Sequence, residues 1–101
     1  MLMMKEQIDI LQLEINPNVV VLRDISWNEK FLLSMLLQQE KKGEKLDYTN
    51  ASFIPYFHLS IRQISRLLNH LKLMGYIDMV EIDYERIITI TEKTKRVVLS
   101  K

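Results

Sequence analysis

The sequence predicts a small α+β domain in which helices come first and a β-hairpin follows. Two Ser-x-x-Glu/Gln signatures, Ser26–Glu29 and Ser60–Gln63, each precede an apolar run and mark the start of a helix. Gly75 ends the second helix, and two short segments of strand-like alternation follow it. The 101 residues suit a single domain over 1–101, with a core over about 19–91.

The composition excludes several classes of protein. With 48% hydrophobic and 27% charged residues and a formal net charge of +1, the chain has the balance of a folded domain. It has no Cys and only two His, which excludes disulfides and a structural zinc site. Its apolar runs are too short to span a membrane, and it shows no secretory signal, so we expect a cytoplasmic protein without membrane contact.

The residues that could carry catalysis are sparse. Two glycines are too few for most phosphate-binding or nucleophile motifs, and the carboxylates are scattered along the chain. A domain of this size rarely encloses a substrate-sized pocket beside its only core. We therefore expect a binding protein and not an enzyme, with no metal and no cofactor.

The N-terminal segment 7–22 is predicted to form a strand or a hairpin. Apolar residues alternate between Ile8 and Ile15, Asn16-Pro17-Asn18 indicates a turn, and Val19–Leu22 is rich in β-branched residues. An exposed strand edge over Ile8–Ile15 could pair with its counterpart in a second copy of the chain.

The first long helix, beginning after Ser26, is apolar on several sides. Trp27, Phe31 and Met35 share one side, and leucines occupy the others. Such a helix is either wrapped by its own chain or buried in a subunit interface, and the sequence leaves both alternatives open. The candidate dimer contacts are Ile8, Ile10, Leu33 and Leu37.

The remaining elements follow in a simple order. Residues 40–47 form a charged loop, and Pro55 predicts that residues 48–57 form only a short or distorted helix. The helix over 60–74 has one apolar and one polar face, and segments 77–83 and 86–91 form a hairpin with a turn near Tyr84-Glu85. The basic tail 92–101 follows, with up to one further helical turn.

This order of elements is that of a winged helix-turn-helix: three helices plus a C-terminal β-hairpin wing, with an added N-terminal strand or hairpin. A Leu-Ser…Arg…Leu…Gly-Tyr-Ile string runs from Leu59 to Ile77. The other residues that match lie before and after it: Trp27, Glu29, Leu32, Leu36, Tyr48, Asn50, Phe57, Arg86, Ile88 and Ile90.

On these residues, about 25–91, the chain resembles the helix-turn-helix domains of phage and plasmid replication initiators (replisome organisers) and, more loosely, MarR-type regulators. It departs from the pattern at Leu73, where a polar residue is usual, and at Gln63, where Thr or Ser is usual. The resemblance implies a transcription regulator or a replication-initiation accessory of a mobile element.

The polar face of the helix over 60–74 has the chemistry of a DNA-reading surface. No acid occurs between His58 and Ile77, and Arg62 and Arg66 project together because they lie one turn apart. Arg pairs with guanine and Asn or Gln with adenine in the major groove, and a helix start suits a phosphate. The candidate DNA contacts are Ser60, Arg62, Gln63, Arg66, Asn69, Lys72 and Arg86.

The predicted wing is acidic, which limits its contact with DNA. Asp78, Glu81, Asp83 and Glu85 leave Arg86 as its candidate phosphate contact. The tail could add contacts from Lys93, Lys95, Arg96 and Lys101. Because one recognition helix reads only about four to five base pairs, we expect a homodimer on double-stranded DNA. The alternative is a winged-helix protein-interaction module that does not bind DNA, which the acidic wing and Leu73 would permit.

Overall fold

A computed structural model of the chain describes residues 13–99. These residues form an α+β fold of five α-helices, one 3₁₀ turn and one antiparallel hairpin, so the predicted class is confirmed. The elements are α1 (Pro17–Val20), α2 (Trp27–Lys41), the 3₁₀ turn (Asn50–Phe53), α3 (Ile54–Phe57), α4 (Ile61–Leu73), β1 (Ile77–Ile82), β2 (Glu85–Ile90) and α5 (Glu92–Leu99). No helix in this range is long and apolar enough to cross a membrane.

The prediction of a strand at the N-terminal Val run is wrong, because residues 17–20 are helical. The Asn16 side chain caps α1 by accepting the Asn18 N–H at 2.8 Å, and Pro17 fixes the first helical φ. Val19 is completely buried, and Lys30 Nζ donates to the Val20 carbonyl at 2.5 Å. A cap and tertiary burial thus override the β-propensity of three valines. Ile8 and Ile10 lie outside the described residues.

Helix α2 is the central helix of the domain. Its predicted capping box is present, with the Ser26 N–H donating to Glu29 Oε1 at 2.6 Å and the Glu29 N–H to Ser26 Oγ at 3.2 Å. Its own chain buries it on several sides, including Leu33, which is fully enclosed. Leu33 is therefore a core residue, which corrects its assignment to a dimer interface, and Leu37 is half-buried against the same core.

The segment after the charged loop is short and distorted, as predicted. A 3₁₀ turn over Asn50–Phe53 passes directly into the four-residue helix α3, which has Pro55 in its first turn. His58 ends α3 in the left-handed conformation, with φ of 54°. This turn directs the chain into α4, so α3 and α4 are joined by three residues, 58–60.

Helix α4 has the predicted bounds and the predicted buried face. Ile64, Leu68 and Leu71 are buried at helical spacing and pack toward α2. The helix ends in a Schellman motif, in which the Gly75 N–H donates to the Lys72 carbonyl and the Tyr76 N–H to the Leu71 carbonyl. Gly75 has φ of 86°, the left-handed conformation that this ending requires.

The hairpin forms with a two-residue turn at Asp83-Tyr84, one residue earlier than predicted. Both turn residues have positive φ, 53° and 66°, as a type I′ turn requires. On the second strand, the Ile88 N–H donates to the Leu46 carbonyl at 2.8 Å, so the loop after α2 covers that edge.

The C-terminal segment folds back onto the domain as α5. Thr94 is completely buried, and its hydroxyl donates to the Tyr76 carbonyl at 2.6 Å. At the other end of α5, Asn16 Nδ2 donates to the Val98 carbonyl at 3.3 Å, so α5 connects to the residues that precede α1. The predicted helical turn is thus a full helix of eight residues.

Candidate nucleic-acid interface

The polar face of α4 is open to solvent and free of acids. Arg62, Arg66, Asn69 and Lys72 are all exposed on this helix. Arg62 and Arg66 lie about 40° apart around the helix axis, and Asn69 lies about 20° to the other side of Arg62. Among residues 13–99, none of the three cations forms an ion pair with an acid.

Leu73 lies on the same stripe of α4. Leu73 lies eleven positions after Arg62, which places it within about 20° of Arg62 around the helix axis. Its side chain is 79% exposed, so it is not covered by neighbouring residues. The polar face of α4 therefore ends in an exposed apolar side chain.

Ser60 and Gln63 are hydrogen-bonded to each other at the start of α4. The Gln63 N–H donates to Ser60 Oγ at 3.1 Å, and the Ser60 N–H donates to Gln63 Oε1 at 2.9 Å. A bidentate pair with adenine needs both the amide oxygen and the amide N–H of Gln. In this conformation Gln63 offers only its N–H groups, so the predicted adenine contact would require the cap to open.

Asn69 keeps more of its hydrogen-bonding capacity. Its Nδ2 donates to Ser65 Oγ at 3.4 Å, a long bond one helical turn back. Within residues 13–99, the amide oxygen and the second N–H of Asn69 have no hydrogen-bond partner. Asn69 can therefore present a donor and an acceptor to an adenine edge.

A contact between His70 and the buried Glu29 carboxylate joins α4 to the central helix. His70 Nδ1 lies 2.5 Å from Glu29 Oε2, and the Glu29 side chain is buried. Sequence reasoning gave His70 no role and assigned Glu29 only to the capping box. The same carboxylate serves both purposes, because its second oxygen accepts the Ser26 N–H. The pair keeps the orientation of α4 relative to α2.

The C-terminal end of α4 is held by Tyr76 and Lys93. The Tyr76 hydroxyl donates to the Asp24 carboxylate at 2.8 and 2.9 Å, and burial together with this bond raises the pKa of Tyr76 to about 12. Lys93 Nζ lies 4.2 Å from the centre of the Tyr76 ring and donates to the Met74 carbonyl at 2.6 Å. Lys93, predicted as a phosphate contact, is thus engaged within the domain.

Arg86 does not present a free guanidinium to a phosphate, which corrects its predicted role. Its Nη1 donates to Asn50 Oδ1 and its Nη2 to the Tyr48 carbonyl, both at 2.6 Å. The side chain is half-buried, and this burial lowers the pKa of Arg86. Arg86 therefore fastens the hairpin to the 3₁₀ turn. Its partners lie 36 and 38 residues away, and no local pattern indicated them.

The other basic residues of the tail are either exposed on α5 or outside the described residues. Lys95 and Arg96 are exposed on α5, and Lys101 lies outside the described residues. On the hairpin, Lys45 Nζ forms an ion pair with Glu85 Oε1 at 2.8 Å. Exposed cations therefore lie on α4, as Arg62, Arg66 and Lys72, and on α5, as Lys95 and Arg96.

Comparison with known proteins gives no relative of this chain. No family model, no curated protein and no solved structure matches it. The functional assignment therefore depends on the chemistry of the chain's own residues.

Proposed function

We propose that this chain is a winged helix-turn-helix protein that binds double-stranded DNA by placing α4 in the major groove. The observation that carries the proposal is the exposed face of α4, on which Arg62, Arg66 and Asn69 stand within one narrow stripe without an acid. A helix of 13 residues is about 20 Å long, and a major groove admits an α-helix.

The proposed contacts follow from the geometry of α4. Arg62 and Arg66 donate to guanine edges or phosphates, and Asn69 pairs with adenine. The unpaired N–H groups in the first turn of the helix bind a phosphate beside the groove. Lys72 contacts the phosphate backbone near the other end. The buried apolar face of α4 and the Glu29–His70 pair support this arrangement because they hold the helix in one orientation.

The protein acts as a homodimer in this proposal, because one helix reads too few base pairs for a specific site. On α2, Trp27 is 56% exposed, and its ring centre lies 6.0 Å from that of Phe31. Exposed neighbouring aromatic rings are typical of interface residues. We propose this pair, together with Leu37, as the contact with a second copy. The resemblance of the sequence favours transcription regulation or replication initiation as the biological role.

Fluorescence anisotropy with labelled duplex DNA across a salt series tests the proposal. Random-sequence duplex is titrated first, then genomic fragments. We expect affinity to fall steeply between about 50 and 200 mM salt, since phosphate contacts release counterions. The double variant Arg62→Ala/Arg66→Ala should bind at least about tenfold more weakly, because each bidentate Arg contact contributes about 1–3 kcal/mol.

The matched control is Arg23→Ala/Lys41→Ala, which removes the same charge from two exposed positions that are not part of α4. It should retain most of the affinity. Equal losses in the two double variants would show that binding depends only on net charge. Absence of binding at low salt would overturn the proposal and favour a protein-interaction module.

A further inference from the structure

The hairpin formed by β1 and β2, hereafter the wing, has an apolar face on each side. One face belongs to the core, where Ile77, Ile88 and Ile90 are buried. The register pairs Val80 with Ile87 and Ile82 with Glu85. Because side chains alternate along a strand, Val80, Ile82 and Ile87 share the opposite face.

This outer face remains accessible to solvent. Val80 is 43% exposed and Ile82 is 58% exposed, and Tyr84 at the tip of the turn is fully exposed. β-branched and aromatic side chains gathered on one small hairpin form a contiguous apolar patch. Patches of this kind, with a polar rim, are typical of interaction sites.

The rim of the patch is acidic, and this charge selects the partner. Asp78 and Glu85 are exposed on this outer face, and Asp83 is exposed in the turn. Glu81 is exposed on the opposite face, and Glu85 forms the ion pair with Lys45 described above. Arg86, the hairpin's one basic residue, turns inward to Asn50 and Tyr48. A surface of this sign repels nucleic acid, and it also repels the same surface of a second copy.

The edges of the wing favour docking through side chains over the addition of a strand. On β1 the Met79 N–H is already accepted by Asp78 Oδ1 at 2.9 Å. On β2 the Ile88 N–H is bound to the Leu46 carbonyl. Both contacts occupy backbone groups that an added strand would need.

We propose that the outer face of the wing is a docking site for a segment of a protein partner that presents apolar side chains flanked by Lys or Arg. The apolar residues of the segment pack on Val80, Ile82 and Ile87, and its cations face the acidic rim. The residues of this site belong to the hairpin and not to α4, and their charge is opposite to that of α4.

Selection from a random peptide library displayed on phage, with the full chain as bait, tests this inference. The selected peptides are then titrated by anisotropy against the wild type and against Val80→Ser/Ile82→Ser. We expect the peptides to combine apolar residues with Lys or Arg, and to bind the wing variant at least about tenfold more weakly. The control Val21→Ser/Leu99→Ser replaces exposed apolar residues elsewhere and should bind as the wild type does.

A charge variant separates the contribution of the acidic rim to peptide binding from the contribution of the apolar face. Asp78→Asn/Asp83→Asn keeps the side-chain shapes, and Asn suits the left-handed conformation of residue 83. We expect severalfold weaker peptide binding that is insensitive to added salt. Peptides without basic enrichment, peptides unaffected by the wing substitutions, or a wing-dependent change in the mass of the protein alone would overturn the proposal.

The test is independent of DNA binding. Val80→Ser/Ile82→Ser should keep the DNA affinity of the wild type, and Arg62→Ala/Arg66→Ala should keep its peptide affinity. A failure to bind DNA alone would therefore not contradict the docking site. A failure to bind peptides alone would not contradict the DNA proposal. Circular dichroism confirms that each variant is folded.

Discussion

At the scale of single residues, Arg86 and Gln63 are both held by hydrogen bonds within the domain. Arg86 and Gln63 were both predicted to contact DNA, yet Arg86 binds Asn50 and Tyr48, and Gln63 closes a cap. The cap was visible in the sequence because its partners lie three residues apart. The Arg86 contacts were not, because they join segments that only the complete fold brings together.

Arg86 supplies the first prediction at this scale. Arg86→Ala should lower the free energy of unfolding by about 2–3 kcal/mol, since hydrogen bonds from a charged group contribute about 1.5–3 kcal/mol and Asn50 loses its partner. Urea denaturation measures the loss, and Arg66→Ala is the control because its side chain is exposed. Unchanged stability together with weaker DNA binding would restore Arg86 to the nucleic-acid interface.

The raised pKa of Tyr76 predicts how the stability of the protein depends on pH. Its pKa is raised from 10.0 to about 12 in the folded protein by burial and by its bond to Asp24. The unfolded chain therefore loses the proton first, and the stabilisation is complete below pH 10 and is lost as the pH rises toward 12. Tyr76→Phe should flatten the fall in unfolding free energy over this range, whereas Tyr84→Phe, at a fully exposed position, should not. An identical alkaline slope in both variants would contradict this account.

At the scale of elements, the sequence predicted the long helices well and the short segments poorly. Capping boxes and Gly75 define α2 and α4 through contacts that are local in the chain. Helix α1 was missed because its β-branched residues favour a strand, while its cap and the burial of Val19 decide the outcome. The hairpin turn was misplaced by one residue because Asp83 and Tyr84 adopt positive φ without Gly or Asn.

Gly75 supplies a prediction for an element. Gly75→Ala should lower the unfolding free energy by about 1–2 kcal/mol, because φ of 86° is unfavourable for a residue with a Cβ. The nearest atom to an added Cβ is Lys93 Cδ at 3.6 Å, so the cost comes from the backbone and not from a clash. Thermal unfolding measures this loss of stability. Gly75→Asn should lose less stability than Gly75→Ala, because Asn tolerates the left-handed conformation. Equal losses of stability in the Ala and Asn variants would argue that the cost does not come from the backbone conformation of residue 75.

At the scale of the whole molecule, the net charge of +1 conceals two surfaces of opposite sign. Helix α4 presents unpaired cations, and the wing presents four exposed acids, of which Glu85 is paired with Lys45. The sequence predicted both, because each set of charges is contiguous along the chain. It did not predict which apolar residues remain outside the core. Trp27, Phe31, Val80 and Ile82 are exposed only because the other sides of α2 and of the hairpin already fill the core.

The central claim is that α4 is the surface that binds DNA, and NMR chemical-shift mapping tests it most directly. A duplex is titrated into the ¹⁵N-labelled protein, and the amide signals are followed. If α4 binds DNA, the shifts should concentrate on residues 60–73 and leave Val80 and Ile82 unchanged. Shifts confined to the wing or to α5, or no shifts at low salt, would contradict it.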